Sequence, residues 1–468
     1  TSLTVRQYRS VRLDANTNGN INAMTWTSTN PDVARVGYTI NYNSKEQSAI
    51  VYAGAPGTAT LSFKDGTGVV RASCSVTVTE PVPVRFAYAE GNIVALNKDF
   101  DLVAITDPSR DEVRFEIVDG PAKGSFTSSA YVEEKKESGH GLPTNYTRIF
   151  RRTVKFGATG MYTVKAYASS NGVYSSEAYT FTVQVNPTLD YTTATFDSRR
   201  MSGKGIEMLA GFEGFVSEVE DDILVSGNPT VGYGFVIQEA NETFYNNMTK
   251  TEAYAMLVNT VNGDVYARDT EKFRAKYNIK MNQAQFDALV SFAYNCGTGV
   301  FNVDKYDTPN IILNMVTPPT DASPSNPYHG VHNSEAKPIY AQPDYTSTQV
   351  ITVPEGGSLT VVGTKINRSS VKQEVWYRVT YGGKTGWMPS GYVKLSGNVT
   401  HDLTYADSTS FANELLQWHM GAGQHLPGLL YRRLCESKVF FFSNYDEGIE
   451  NYSTTYRVNR YGFLYPAC

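Results

Sequence analysis

The chain is poor in the residues that build metal centres, disulfide frameworks and membrane spans: 468 residues contain four cysteines, six histidines and four tryptophans. Cys74, Cys296, Cys435 and Cys468 are scattered and form no C-x-x-C pair, which excludes a disulfide scaffold or a zinc ribbon and leaves packed or free thiols. No apolar run approaches the ~18–20 residues needed to cross a bilayer. The first residues carry no basic n-region or apolar h-region, so the start reads as that of a mature or trimmed chain, and no transmembrane segment is expected. Charged residues make up only 19% and the net charge is −5, so a general electrostatic grip on nucleic acid is not expected. No glycine-rich phosphate loop is present, and no cofactor is implied.

Aromatic and hydroxyl residues are what the chain does have. Its 32 Tyr and 22 Phe, among many Thr, Ser and Asn, suit β-rich domains that face carbohydrate or a surface, and 41% hydrophobic residues suffice for several cores. At about 100–200 residues per domain the length predicts three or four units. Residues 1–80 carry short β runs (Ala49–Ala53, Thr58–Phe63, Ala72–Val78) separated by turn residues, the pattern of a sandwich or barrel. Pro81-Val-Pro83 reads as a stiff joint, and residues 81–187 repeat the alternating style down to Tyr179–Val185. Within that second β unit, Glu133–Lys136 and His140 read as an exposed hairpin loop.

After Pro187 the period changes. Ile206, Leu209 and Ala210 stand at i, i+3 and i+4, Thr249–Glu252 reads as a capping box, and Asn282–Gln285 opens a third helical run. Pro318–Pro327 reads as a linker; short strands return from Lys337 to Leu395, and helical signals resume from Ser410 to about Phe442. A β block therefore interrupts an α-rich domain: 195–325 and 400–468 on either side of 335–396. His329 and His332 have metal-like spacing but fall in the linker without Cys or acidic companions, so no metal site is expected. Cys296 lies in an apolar helical run and reads as a packed thiol rather than a nucleophile. His419 and His425 read as local structure or a cleft rim. Of the aromatics in the third β block, Trp387 is expected in the core, while Trp376 and Tyr392 could serve either the core or a peptide groove.

The candidate chemistry starts at Glu213, seven residues after Ile206 on the same helical face, where an apolar stripe ends. Such surroundings disfavour the charged carboxylate, which is what a general acid for glycosidic cleavage needs, with a second, ionised acid nearby to direct water. Glu218, Glu220, Asp221 and Asp222 follow, and then Asn228-Pro-Thr230-Val-Gly-Tyr-Gly234 reads as a turn and strand.

Four ordered motifs carry a family resemblance. Gly205–Phe215, Thr230–Gly234, Asn282–Gly299 and Gly428–Glu436 resemble the phage-type lysozymes of glycoside hydrolase family 24. The resemblance implies a secreted or cell-wall-associated muramidase that cleaves the β-1,4 bond between N-acetylmuramic acid and N-acetylglucosamine in peptidoglycan. Carried over by motif, Glu213 is the general acid, and Asp222 and Thr230 hold the attacking water, with Asp221 the alternative second acid. Tyr233 and Asn295 stand where sugar contacts are expected, and Phe235 replaces a His common in the family. Residues 1–80 resemble bacterial immunoglobulin-like domains of the group 2 type, and 335–396 resembles a bacterial SH3 domain through Gly386–Val393. The expected fold is multidomain: two immunoglobulin-like sandwiches, an α+β lysozyme domain, and an SH3-like barrel inserted in it. Its partners are peptidoglycan strands and, through the β domains, wall peptides or other surface polymers. The rival readings are a non-catalytic wall-binding or adhesion protein with a lapsed lysozyme fold, and a chitinase-like specificity on the same scaffold.

Overall fold

The computed structural model describes residues 1–136, 145–192, 194–195, 199–222, 228–236, 248–314, 321–368, 373–397, 402–403, 411, 414–421, 424–445, 456–458 and 464–466. The chain divides into two compact units, one of 1–187 with 210–259 and the other of 188–209 with 260–468. Among the described residues no helix is long and apolar enough to cross a membrane.

The first unit opens with seven strands: β1 (Ser2–Arg6), β2 (Ser10–Asn16), β3 (Thr25–Ser28), β4 (Ala34–Asn41), β5 (Glu46–Ala53), β6 (Gly57–Lys64) and β7 (Val70–Thr79). They form a sheet of order β1-β7-β6-β3 and another of order β2-β5-β4. Alternation explains the core: Ala59 and Leu61 on β6, and Cys74, Val76 and Val78 on β7, point inward to meet Val11, Ala49 and Val51. A second pair of sheets follows, built from β8 (Phe86–Ala89), β9 (Ile93–Ala95), β10 (Asp99–Thr106), β11 (Glu112–Asp119), β12 (Gly124–Ser128), β13 (Tyr131–Lys136), β14 (Asn145–Lys155), β15 (Gly160–Ser170), β16 (Val173–Tyr174) and β17 (Tyr179–Asn186). One sheet runs β13-β14-β10-β8 and the other β12-β11-β15-β17-β9, with β16 paired to β15. Val113, Phe115 and Ile117 alternate inward on β11 to meet Phe150, Tyr162, Val164 and Phe181. Each large side chain buried here contributes roughly 1.5–3 kcal/mol.

The charged run Glu133–Lys136, expected as an exposed loop, is instead part of β13, paired along β14, and Lys136 is buried. Alternation along a charged strand sends every second residue to the covered face, which composition alone does not reveal. His140 lies outside the described residues.

Past the short strand β18 (Ala194–Thr195), the first unit also holds the end of α1 (Gly203–Glu213), the hairpin strands β19 (Val216–Asp222), β20 (Asn228–Gly232) and β21 (Phe235–Val236), and α2 (Lys250–Asn259). The second unit contains α3 (Tyr266–Lys276), α4 (Gln283–Cys296), α5 (Asp307–Asn314) and α6 (Pro427–Phe442). Helix α4 is its centre, every residue from Gln283 to Ala293 being buried, and it opens at the expected Asn282 with an Asn282–Gln285 capping box. The chain returns after the β block so that α6 packs on α4: Arg432 Nη2 donates to the Ser291 carbonyl at 3.1 Å. The helical signal expected from Ser410 to Phe442 is not continuous, because Met420–Gly421 and Gln424–His425 form a short antiparallel pair before α6.

The β block is one seven-stranded sheet that also takes in Tyr328–His332. His329 and His332 therefore sit on a strand, not in a linker. The choice between core and groove is settled for the aromatics as well: Trp376 is fully buried against Tyr340 and Tyr345 and Tyr392 is buried, whereas Trp387, expected in the core, is only half-buried. Which side of a small barrel closes on itself depends on strand pairing, and a list of its aromatics does not carry that information.

Candidate active site

Helix α1 is seated from its N-terminus. Ser202 Oγ accepts from the Gly205 amide at 3.1 Å, and Ser202 in turn donates its amide at 3.0 Å and its hydroxyl to Asp287 of α4. A Cβ on Gly205 would lie 2.9 Å from Asp287 Cγ and 2.8 Å from Met201 Cγ, so this close approach requires glycine. Asp287 also accepts from Gln283 Nε2 at 2.8 Å and from the Tyr445 hydroxyl at 2.7 Å. Burial still pushes its carboxyl up to about 6.

At the other end of the helix, Glu213 is the last residue, half-buried, directly ahead of Gly214 with φ +71°. The chain then enters β19, which pairs antiparallel with β20; Glu220 lies opposite Thr230, Asp221 opposite Pro229 and Asp222 opposite Asn228. Positions 220, 222, 228 and 230 thus share one strand parity, and Asp221 has the other. Thr230 also pairs with Val236 across the tight turn Gly232-Tyr233-Gly234. A Cβ on Gly234, whose φ is +77°, would lie 3.6 Å from Glu213 Oε2, so the carboxylate sits against the turn of the hairpin that carries Thr230.

The turn is firm because its side chains are packed. Val231, Tyr233 and Phe235 are buried, Tyr233 next to Phe215 with ring centres 5.8 Å apart, and Met248 closes over Gly232. Tyr233, expected at the sugar, is 5% exposed and serves this packing; burial raises its hydroxyl pKa. Phe235 fills the same apolar floor. The side chains of Glu218–Asp222 and residues 223–227 lie outside what the structure describes.

Asn295 is in the second unit, exposed at the end of α4, and its Oδ1 accepts from Arg433 Nη2 at 2.9 Å. Arg433 is fully buried with Glu436, which also accepts from Ser291 Oγ at 2.7 Å and Arg432 Nε at 3.2 Å. Sequence reading missed this cluster as an interaction, although the Gly428–Glu436 motif contains three of its members. Cys296 is half-buried, bonded by Arg433 Nη1 at 3.2 Å, and burial raises its thiol pKa, which suits a packed thiol.

A pocket of about 240 Å³ lies beside the hairpin, lined by Phe215, Ser217, Met248, Thr249, Lys250 and Glu134–Lys136. The Thr249–Glu252 capping box is present: Glu252 N donates to Thr249 Oγ1 and Thr249 N to Glu252 Oε2, each at 3.1 Å.

No curated protein matches the sequence. Among solved structures, the chain is similar to domains 5-6 of the S-layer protein SbsC (16% identity, covering 40% of this chain and 94% of that one, TM-score 0.16). It is similar to a P22 lysozyme mutant (20% identity, 25% and 82% coverage, TM-score 0.18). A third is the Bacteroides ovatus mixed-linkage glucan utilization protein SGBP-B in complex with a heptasaccharide (14% identity, 39% and 42% coverage, TM-score 0.20). Residues 336–394 match the bacterial SH3 domain family. Residues 210–307, which run from the end of α1 through the hairpin and α4, match the phage lysozyme family, so this multidomain chain carries a phage lysozyme domain of the kind found in peptidoglycan hydrolases.

Proposed function

We propose that the chain is an exported muramidase that hydrolyses the β-1,4 bond between N-acetylmuramic acid and N-acetylglucosamine of peptidoglycan. The observation that carries the reading is Glu213 at a helix end, its carboxylate against the glycine turn of the hairpin that bears Thr230. Glu213 protonates the glycosidic oxygen as the bond to the anomeric carbon breaks. A water held by Thr230 and Asp222 attacks that carbon, and its proton passes to the Asp222 carboxylate. Shared parity with Thr230 supports Asp222 over Asp221; it also makes Glu220, opposite Thr230, the acid to test beside it. Asn295, exposed on the second unit with its carbonyl oxygen held by Arg433, stays a proposed sugar contact on the family motif alone. The domains are read as 1–80, 81–187, 195–325 with 400–468, and 335–396, the last as a wall-peptide binder.

Glu213→Gln should lower wall hydrolysis by at least ~10²–10⁴-fold while leaving the melting temperature unchanged, because it removes the proton donor. Mass spectrometry of the products should show reducing muramic acid ends. Activity near that of the parent would overturn the role of Glu213, and reducing glucosamine ends would overturn the bond specificity. Asp222→Asn should be the more damaging member of a set with Asp221→Asn and Glu220→Gln.

A further inference from the structure

Glu252 does more than cap α2. Fully buried, its Oε1 takes Arg85 Nη1 at 2.5 Å and Lys136 Nζ at 2.9 Å, and those two side chains are themselves only 6% and 5% exposed. Lys136 ends β13 and Arg85 leads directly into β8, so the cations stand at the two opposite edges of one sheet of the second sandwich. Further contacts follow the same seam. Thr251 Oγ1 donates to Glu134 Oε1 at 2.6 Å, Tyr254 lies edge-on to Tyr88 at 5.7 Å, and Asn259 Nδ2 reaches the Ala87 carbonyl at 3.4 Å. From α2 the path continues to the hairpin: Met248 N donates to the Ser217 carbonyl of β19 at 2.8 Å, and Met248 Sδ lies 3.1 Å from where a Gly232 Cβ would stand.

We propose that the second sandwich is a brace for the catalytic hairpin rather than a detachable wall-binding module, with Glu252 as the positioning residue that keys α2, and through it β19 and β20, to Arg85 and Lys136. The inference rests on the muramidase reading for its catalytic consequence. Charges buried in this way are costly unless paired in one geometry, so they specify a docking pose more sharply than an apolar contact of equal area. A wall-binding module on a flexible tether needs no such junction; a brace does. A shift of the hairpin by about 1 Å costs up to ~10²-fold in rate, which makes the pose worth fixing.

Glu252→Gln in the full chain is the test, because Gln still completes the capping box and keeps the volume while deleting the charge. The expected result is kcat on soluble glycan chains lowered about 10- to 100-fold with KM changed little, unchanged sedimentation with intact walls, and faster amide exchange in β19 and β20. Adding Arg85→Met and Lys136→Met to Glu252→Gln removes the stranded cations and should recover much of kcat. If Glu252→Gln does not fold, Lys136→Met, which leaves Arg85 in place, should show the same changes in smaller measure. Unaltered kcat and hairpin exchange in the folded variant would overturn the brace, and so would lost wall sedimentation with kcat preserved. If the parent releases no reducing ends, the muramidase reading has failed, and the exchange of β19 and β20 still decides the brace.

Discussion

Glu252 and Asp287 are two fully buried carboxylates on helices of the lysozyme region, one in each unit, and their protons go opposite ways. Asp287 accepts from Ser202 twice, from Gln283 and from Tyr445, all neutral donors, yet burial dominates and raises its pKa to about 6. Glu252 suffers the same desolvation, but Arg85 and Lys136 outweigh it and its pKa is lowered. The cations pay in turn: burial is the largest influence on Lys136, with Arg85 repulsion added, and lowers it to about 8. Full formal charge, more than the number of hydrogen bonds, therefore decides which buried acid stays ionised. It also separates a site that fixes an interface from one that fastens a helix end.

The most damaging way to break the contrast is Arg85→Met, which leaves buried Glu252 with one cation fewer. The first unit should lose on the order of 3–5 kcal/mol, measured by denaturant unfolding of the full chain. Exposed Arg6–Glu177, at 3.1 Å, is the control, and Arg6→Ala should cost at most ~1 kcal/mol.

The pH dependence should differ in sign. Glu252, with its folded pKa below the ordinary value, contributes stability above about pH 4.5 that is lost as pH falls through the lowered value. Asp287 does the reverse: its contribution is complete below about pH 3.8 and is lost as pH rises through about 6. Between pH 7 and 4, calorimetry should find the second unit gaining stability from this group, with an upper limit of ~3 kcal/mol. Asp287→Asn should flatten that gain. A parent and variant with parallel profiles would show that the buried acid is ionised throughout.

The smallest expected effect is Tyr445→Phe, which removes one of the neutral donors. It should cost about 0.5–1.5 kcal/mol and raise the Asp287 pKa further, readable as an upward shift of the same pH transition.

Much of this molecule is written locally. The two runs of alternating strands, the capping boxes at Thr249 and Asn282, the glycine turn after Thr230 and the acid ending α1 are each contained in a dozen residues or fewer, where periodicity and cap chemistry act. The SH3-like block was legible from Gly386–Val393, and the family match covers it. The misread positions share another trait. Lys136 belongs to a charged run that looks solvated until α2 meets its strand, Trp387 is left half-buried once the barrel's pairing is set, and His332 leaves a linker for a sheet because Val393 pairs with it.

The sequence therefore specifies the runs of strand and helix, the lysozyme-like and SH3-like segments, and the acid and hydroxyl types of the candidate site, since these follow from spacing along the chain. Which charges become buried together is set by tertiary contact alone. Arg85 and Glu252 are 167 residues apart, and nothing in either neighbourhood marks the other. Their pairing exists because two sheet-edge side chains and one helix cap are removed from water at a single point, where an unpaired charge would be too costly to leave.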